Sequence, residues 1–397
     1  MQVPPFSLTK QLAELGPDLG AAFSRVLQSG QFIGGAEVKA FEDAFAENIG
    51  VANVVGCNSG TDALVLALRA LDIGMGDEVI TSSFSFFATA EAISSVGAKP
   101  IFVDVDPKNY LIDLAQIEQA ITIATKAILP VHLFGCPVDM EKITAIASNH
   151  GLKVIEDCAQ AAGALFKGRS VGSWGDIGCF SFFPTKNLGA AGDGGAVTTN
   201  DDFLAKRMRE LAIHGMPARY LHTEIGYNSR LDAIQAAILN VKLPKLRAWV
   251  SKRKQIAERY IDLLDDLPGL ELPEHNSHVN MVHGWNQFVI RVKQFSGSRQ
   301  LKNSELVLNK ESSNAFGGNN NSRDVLKSAL ADNGINTIIY YPIPIHMQPA
   351  YDSLACKATS LPITEKICTE VLSLPMFPEI SDSQQEYVSS VIRNLFG

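Results

Sequence analysis

The sequence predicts an α/β protein: a large, mostly parallel sheet of about seven strands, followed by a smaller C-terminal α+β domain. Three observations lead there. Short apolar runs alternate with helical patterns from about residue 51 to residue 199. The runs are almost continuously apolar, as in strands covered on both faces. After Pro268-Gly269 the pattern changes character, which marks a second unit.

Taken in order, residues 51–57, 78–81, 100–105, 127–131, 153–156, 177–181 and 195–198 read as strands, each short and bounded by turn-forming or polar residues. Residues 61–70, 88–96, 114–120 and 139–150 read as the helices between them, with apolar residues recurring at helical spacing. A helical pattern runs from Asp232 to about Leu264, with Pro244 as its break, because proline lacks the N–H of the helical ladder. Residues 287–292 and 335–341 are expected as strands of the smaller domain, and the polar, Asn- and Ser-rich stretch 300–322 as a flexible insertion in it. The expected division is an N-terminal segment at 1–30 packing near the small domain, a large domain at 31–250 and the small domain at 251–397.

The bulk numbers narrow the function. The chain has 397 residues, 46% hydrophobic and 19% charged, an ordinary composition for a soluble globular enzyme. A net charge of −8 without any Lys/Arg-rich run argues against nucleic-acid binding. Met1-Gln2-Val3-Pro4-Pro5-Phe6 lacks the basic start and apolar core of a signal peptide, and no run reaches the roughly 18 apolar residues of a membrane span. Six scattered cysteines without CxxC spacing make a disulfide framework or a metal site unexpected and fit buried thiols in a reducing cytoplasm.

Chemistry concentrates at strand ends, where ligands of such sheets bind. Asp157 closes the run Val154-Ile155-Glu156-Asp157, and Ser181 and Lys186 lie in Gly178-Cys179-Phe180-Ser181-Phe182-Phe183-Pro184-Thr185-Lys186. A lysine in a structured, uncharged loop has its pKa depressed and becomes a nucleophile and proton carrier. With an acid nearby, it suits Schiff-base attachment of pyridoxal 5′-phosphate (PLP), the acid pairing with the pyridinium nitrogen. A lone lysine is usually a surface lysine, and Asp157 read by itself could as well cap a helix turn. Gln160 can reach the ring hydroxyl of the cofactor. Asn58-Ser59-Gly60-Thr61-Asp62 brings backbone N–H groups and the Thr61 hydroxyl to a helix N-terminus, where a phosphate fits, although it is also a plain helix cap. Ser181 can add a hydroxyl there. Phe86, in Phe84-Ser85-Phe86-Phe87, is the candidate platform for the ring face.

Together with Gly226-Tyr227-Asn228-Ser229-Arg230-Leu231-Asp232 and Tyr340-Tyr341-Pro342-Ile343-Pro344-Ile345-His346, these motifs resemble the DegT/DnrJ/EryC1/StrS sugar aminotransferases, fold-type I PLP enzymes. The resemblance runs from about Gly30 to the C-terminus. It implies a homodimer with shared active sites that moves an amino group from an amino acid, expected to be L-glutamate, to a keto group of a dTDP- or UDP-linked hexose, at C3 or C4. Carried over, Lys186 is the Schiff-base lysine, Asp157 the pyridinium partner and Gln160 the ring-hydroxyl contact. Gly60, Thr61 and Ser181 are phosphate ligands and Phe86 the stacking aromatic. Asn228 is a phosphate ligand donated to the neighbouring subunit, Arg230 a candidate for the donor carboxylate, and Tyr341 and His346 belong to the region that meets the sugar nucleotide. Family members that dehydrate sugars carry histidine at the lysine position, and this chain keeps Lys186. Dehydration on the same fold and a non-catalytic sensor are the competing readings.

Overall fold

A computed structural model describes residues 1–274, 280–294, 321–352 and 360–396. The stretch expected as an insertion, 300–322, lies almost wholly outside the described residues, as does Cys356.

Seven strands form the main sheet: β1 (Asn53–Cys57), β2 (Glu78–Ser82), β3 (Lys99–Val103), β4 (Thr125–Leu129), β5 (Lys153–Asp157), β8 (Ile177–Ser181) and β9 (Gly195–Thr199). A small hairpin, β6 (Leu165–Phe166) and β7 (Arg169–Ser170), sits apart from it. The order is β1-β9-β8-β5-β4-β2-β3. Pairs β2–β3, β2–β4, β4–β5 and β5–β8 are parallel, while β9 runs against both β8 and β1. All seven expected strands are present, because strands buried on both faces leave an unmistakable apolar run.

The helix Gly60–Ala70 leaves the end of β1 and packs on β8 and β9. Its Ser59 cap accepts from the Asp62 N–H at 3.1 Å, which closes the first turn. The expected helical region after Asp232 breaks where proline demands it: Ala233–Lys242, a 3-10 turn at Leu243–Lys245, then Leu246–Leu264. A three-stranded antiparallel sheet of β10 (Leu270–Glu271), β11 (Phe288–Val292) and β12 (Val371–Leu374) follows. Tyr260, Phe288, Ile290, Leu326, Leu330, Leu372 and Val388 form its own core, which also takes in Val3.

One expected element is different. Residues 335–341 are not a strand: Ile335 bridges Val3 and Ile338 bridges Ser373 as isolated pairs. The segment divides its pairing between the N-terminus and β12, and then runs into Pro342 and Pro344, which have no N–H to extend a ladder. Two N-terminal helices, Thr9–Ser29 and Ala36–Ile49, were not read from the sequence. The first buries Gln11, Leu15, Ala22 and Val26 along one face despite an internal Pro17, and Ala22 and Val26 meet Ala233 and Ala237. Among the described residues no helix is long and apolar enough to cross a membrane.

Candidate active site

The last two residues of β5 point to opposite faces of the sheet, as the period of a strand requires. Glu156 turns inward and is fully satisfied, accepting from the N–H groups of Gly172, Trp174 and Gly175, each at 2.8 Å. His132 completes it at 3.0 Å. The Val138 N–H donates to His132 Nδ1 at 3.0 Å, which leaves Nε2 as the nitrogen that donates to Glu156. Asp157 turns the other way, into a cavity. It is 5% exposed, accepts from the Thr89 hydroxyl at 2.9 Å and the Ala159 N–H at 3.1 Å, and faces Lys186. Burial pushes its carboxyl pKa up; the Ala159 N–H, Thr89 and the Lys186 ammonium pull it back.

Lys186 follows β8 in a loop with little freedom. The Lys186 N–H donates to Phe183 O at 2.8 Å, and Ala190 N–H to Phe182 O at 2.7 Å. The Asn187 side chain donates to Gly284 O at 2.6 Å, and the buried Lys242 amine to Gly189 O at 2.7 Å. Position 189 admits only glycine, since a Cβ there would sit 2.4 Å from Pro184 O. Burial lowers the Lys186 amine from 10.5 to about 8, against the opposing attraction of Asp157. An amine so placed sheds its proton at about 8 rather than 10.5 and, once neutral, can act as a nucleophile or base.

At the other end of the cavity the N-terminus of helix Gly60–Ala70 meets β8 and β9. A Cβ on Gly60 would lie 2.7 Å from Ser181 Cβ, and one on Gly195 would lie 2.3 Å from Ser59 O. Glycine at both positions lets the Ser59-Gly60-Thr61 turn and Ser181 close up into a cradle of backbone N–H and hydroxyl groups, with the helix dipole behind it.

The cavity has a volume of about 540 Å³. It gathers Gly60, Thr61, Phe86, Asp157, Gln160, Ser181, Lys186 and Tyr341. Phe86 is 59% exposed at its wall, with its ring 6.1 Å from that of Tyr341. Gln160 is committed on both sides: Oε1 accepts from Phe134 N–H at 2.6 Å, and Nε2 donates to the Tyr341 hydroxyl at 2.9 Å. Burial pushes the Tyr341 phenol up.

Three expected residues do not line this cavity. Asn228 is exposed, its carbonyl accepts from the Asn58 side chain at 2.9 Å, and its own side chain accepts from the Arg230 guanidinium. His346 is held by Ser83 Oγ at 2.7 Å from Nδ1 and by Glu365 at 3.4 Å from Nε2; burial lowers its pKa, and Glu365 opposes that. Conversely, Thr89 and Ser85 line the cavity and were missed from the sequence. Thr89 meets a partner 68 positions away, and local pattern carries no trace of such a contact.

An anion cradle, a buried carboxylate and a desolvated amine around one cavity of drug-like size fit PLP. The cradle suits its phosphate, Asp157 its ring nitrogen and the Lys186 amine its aldehyde. The close approach that Gly60 and Gly195 permit is the feature a phosphate would exploit. Fold and cavity together define a fold-type I PLP-dependent transferase.

The chain belongs to the DegT/DnrJ/EryC1/StrS aminotransferase family, which it matches over residues 14–312 and 313–393. It is 46% identical, over 98% of its length and 97% of the relative's, to a protein of Acidithiobacillus ferrooxidans described as UDP-N-acetyl-3-dehydro-alpha-D-glucosamine 3-aminotransferase. It is 44% identical to the "Pleiotropic regulatory protein" of Geobacillus stearothermophilus, over 100% and 99% of the two chains. The crystal structure of S. venezuelae DesV in complex with a ketimine intermediate is similar with a TM-score of 0.89 and 39% identity, covering 99% of this chain and 98% of that one.

Proposed function

We propose that this chain moves the amino group of L-glutamate to the C3 keto group of a UDP- or dTDP-linked hexose, in amino-sugar biosynthesis for a polysaccharide or glycan. The observation that carries the reading is the pairing of a desolvated Lys186 amine with the buried Asp157 carboxylate opposite the Gly60 cradle. The name of the relative from A. ferrooxidans supports both C3 and the nucleotide handle.

In this reading Lys186 holds the cofactor covalently at rest. Bound PLP supplies an electron sink for the pair released when the donor's α C–H bond breaks. The free Lys186 amine would take the donor's α-proton as base and give it back as acid. With the keto sugar, the same amine moves the proton back. Asp157 keeps the ring nitrogen protonated, and Thr61, Ser181 and the Gly60 N–H bind phosphate. Phe86 covers the ring face, and the Nε2 proton of Gln160 that Tyr341 does not take orients the ring hydroxyl. Arg230 takes the donor carboxylate bidentately, and Tyr341 and His346 frame the sugar-nucleotide side.

We further propose a cytoplasmic homodimer. Asn228 and Arg230 lie outside the cavity of their own chain, which supports their serving the neighbouring site. The buried free thiols Cys57, Cys136, Cys158, Cys179 and Cys368 suit a reducing compartment. Residues 31–250 are taken as the large domain and 251–397 as the small one; the contacts of Val3 with the small-domain core support placing the start of 1–30 beside it, while Ala22 and Val26 pack on Ala233 and Ala237 of the large domain.

The test is a panel of UDP- and dTDP-linked 3-keto and 4-keto hexoses with PLP and glutamate. The expected result is stoichiometric 2-oxoglutarate and a 3-amino sugar. Conversion of 4-keto substrates alone would overturn the C3 assignment. Dehydrated sugar with no amino product would overturn transamination.

A further inference from the structure

Two cavity residues have no role in the reading above, and both converge on Asp157. Thr89 Oγ1 lies 2.9 Å from Asp157 Oδ2, and Ser85 Oγ lies 2.8 Å from Thr89 Oγ1. All three are buried, with Ser85 and Asp157 5% exposed and Thr89 1%. An ionised carboxylate can only accept. The single Thr89 proton is therefore directed to Asp157, and the proton between the two hydroxyls comes from Ser85. The chain of bonds runs Ser85 to Thr89 to Asp157, with a charge-assisted bond at its end.

Thr89 is not behaving as an ordinary helical threonine. It stands in the first turn of helix Ala88–Ser95, where such a hydroxyl commonly bonds back along its own helix; here it crosses to the end of β5 instead. Its β-branch leaves few side-chain rotamers, so the hydroxyl is presented to the carboxylate in a fixed direction. Ala159 N–H holds the other oxygen at 3.1 Å, and the carboxylate plane is thereby set from both sides.

We propose that Ser85 and Thr89 are positioning residues for the reaction, a two-hydroxyl relay that keeps Asp157 ionised and aimed at the cofactor's ring nitrogen. The inference rests on the role given to Asp157 above. The Thr89 hydroxyl is one of the groups that pull the Asp157 carboxyl back down against its burial. Protonation of Asp157 would turn the Thr89 bond from a charge-assisted into a weaker neutral one.

The experiment is a titration of the full-length protein with PLP, reading the dissociation constant from the absorbance of the bound cofactor. Thr89→Val keeps the shape and removes the hydroxyl. The expected result is an affinity about tenfold weaker, the scale of one hydrogen bond to a charged group. Thr89→Ser should restore most of it, and Ser85→Ala should weaken binding less than Thr89→Val. Wild-type affinity in Thr89→Val, or a Thr89→Ser variant as weak as Thr89→Val, would overturn the proposal, and an unchanged Ser85→Ala would overturn its second hydroxyl. Asp157→Asn in the same titration separates the two levels. If it binds weakly while Thr89→Val binds normally, only the relay fails; if Asp157→Asn binds normally, the role of Asp157 fails and the relay with it.

Discussion

Replacing Lys186 by methionine should abolish turnover and yet stabilise the cofactor-free protein. Methionine keeps the aliphatic stem and deletes the ammonium. In the fold, burial lowers that amine from 10.5 to about 8, with the attraction of Asp157 already included. At ~1.4 kcal/mol per pH unit, the charged lysine costs the folded state roughly 3 kcal/mol. The sign follows from where the protons sit. Below pH 8 folded and unfolded chains both carry the charge and the cost is fully present. Between about 8 and 10.5 the unfolded chain keeps a proton that the fold has shed, so wild-type stability rises with pH. The advantage of the variant is therefore complete below about pH 8 and gone above about 10.5. Thermal unfolding of both cofactor-free proteins at about pH 7 and about pH 10 reads it, with a gain of roughly 5 °C at the lower pH and little at the higher. A methionine variant less stable than wild type at neutral pH, or a gain that ignores pH, would refute the claim that the amine is desolvated.

Other outcomes follow from particular contacts. Gly195→Ala drives a Cβ to within 2.3 Å of the Ser59 carbonyl oxygen, so it should cost about 1–3 kcal/mol and weaken PLP binding; thermal midpoint and cofactor titration check both. Gly20→Ala, inside helix Thr9–Ser29 with open space where its Cβ would stand, should instead stabilise by about 0.5–1 kcal/mol in the same melt. Arg253 is fully buried and donates to the carbonyls of Trp285, Asn286 and Met376 at 3.0, 3.3 and 3.4 Å. Arg253→Met strands those acceptors and should lower stability by about 2–4 kcal/mol without changing KM for either substrate. Phe86→Ala removes a ring that is already 59% exposed; stability should hold within ~0.5 kcal/mol while PLP affinity falls several-fold, as expected for a lost stacking contact of about 1 kcal/mol.

The large sheet was legible because its strands are buried on both faces and punctuated by turns, so each of the seven left an apolar run. The break at Pro244 was legible for a covalent reason. The helices Thr9–Ser29 and Ala36–Ile49 were not, since the first carries Gly16, Pro17 and Gly20 and is held by the alanines of Ala233–Lys242 more than by intrinsic propensity. The error at 335–341 has a related cause. Ile335 and Ile338 look like strand residues, but their pairing is decided by Val3 and Ser373, which are remote in sequence. That Asp157, Lys186, Gly60 and Ser181 meet around one cavity was legible because sheets of this class present ligands at strand ends. Thr89 on Asp157 and Tyr341 on Gln160 were not, because both contacts join distant segments.

The central claim is that Lys186 carries the cofactor. Hydride reduction of the PLP-loaded protein, followed by peptide mass mapping, fixes the cofactor onto whichever lysine holds it. The expected result is a single modified peptide with the added mass on Lys186, lost when the reduction follows excess glutamate. Modification confined to another lysine, or none at all in a protein that binds PLP, would contradict it.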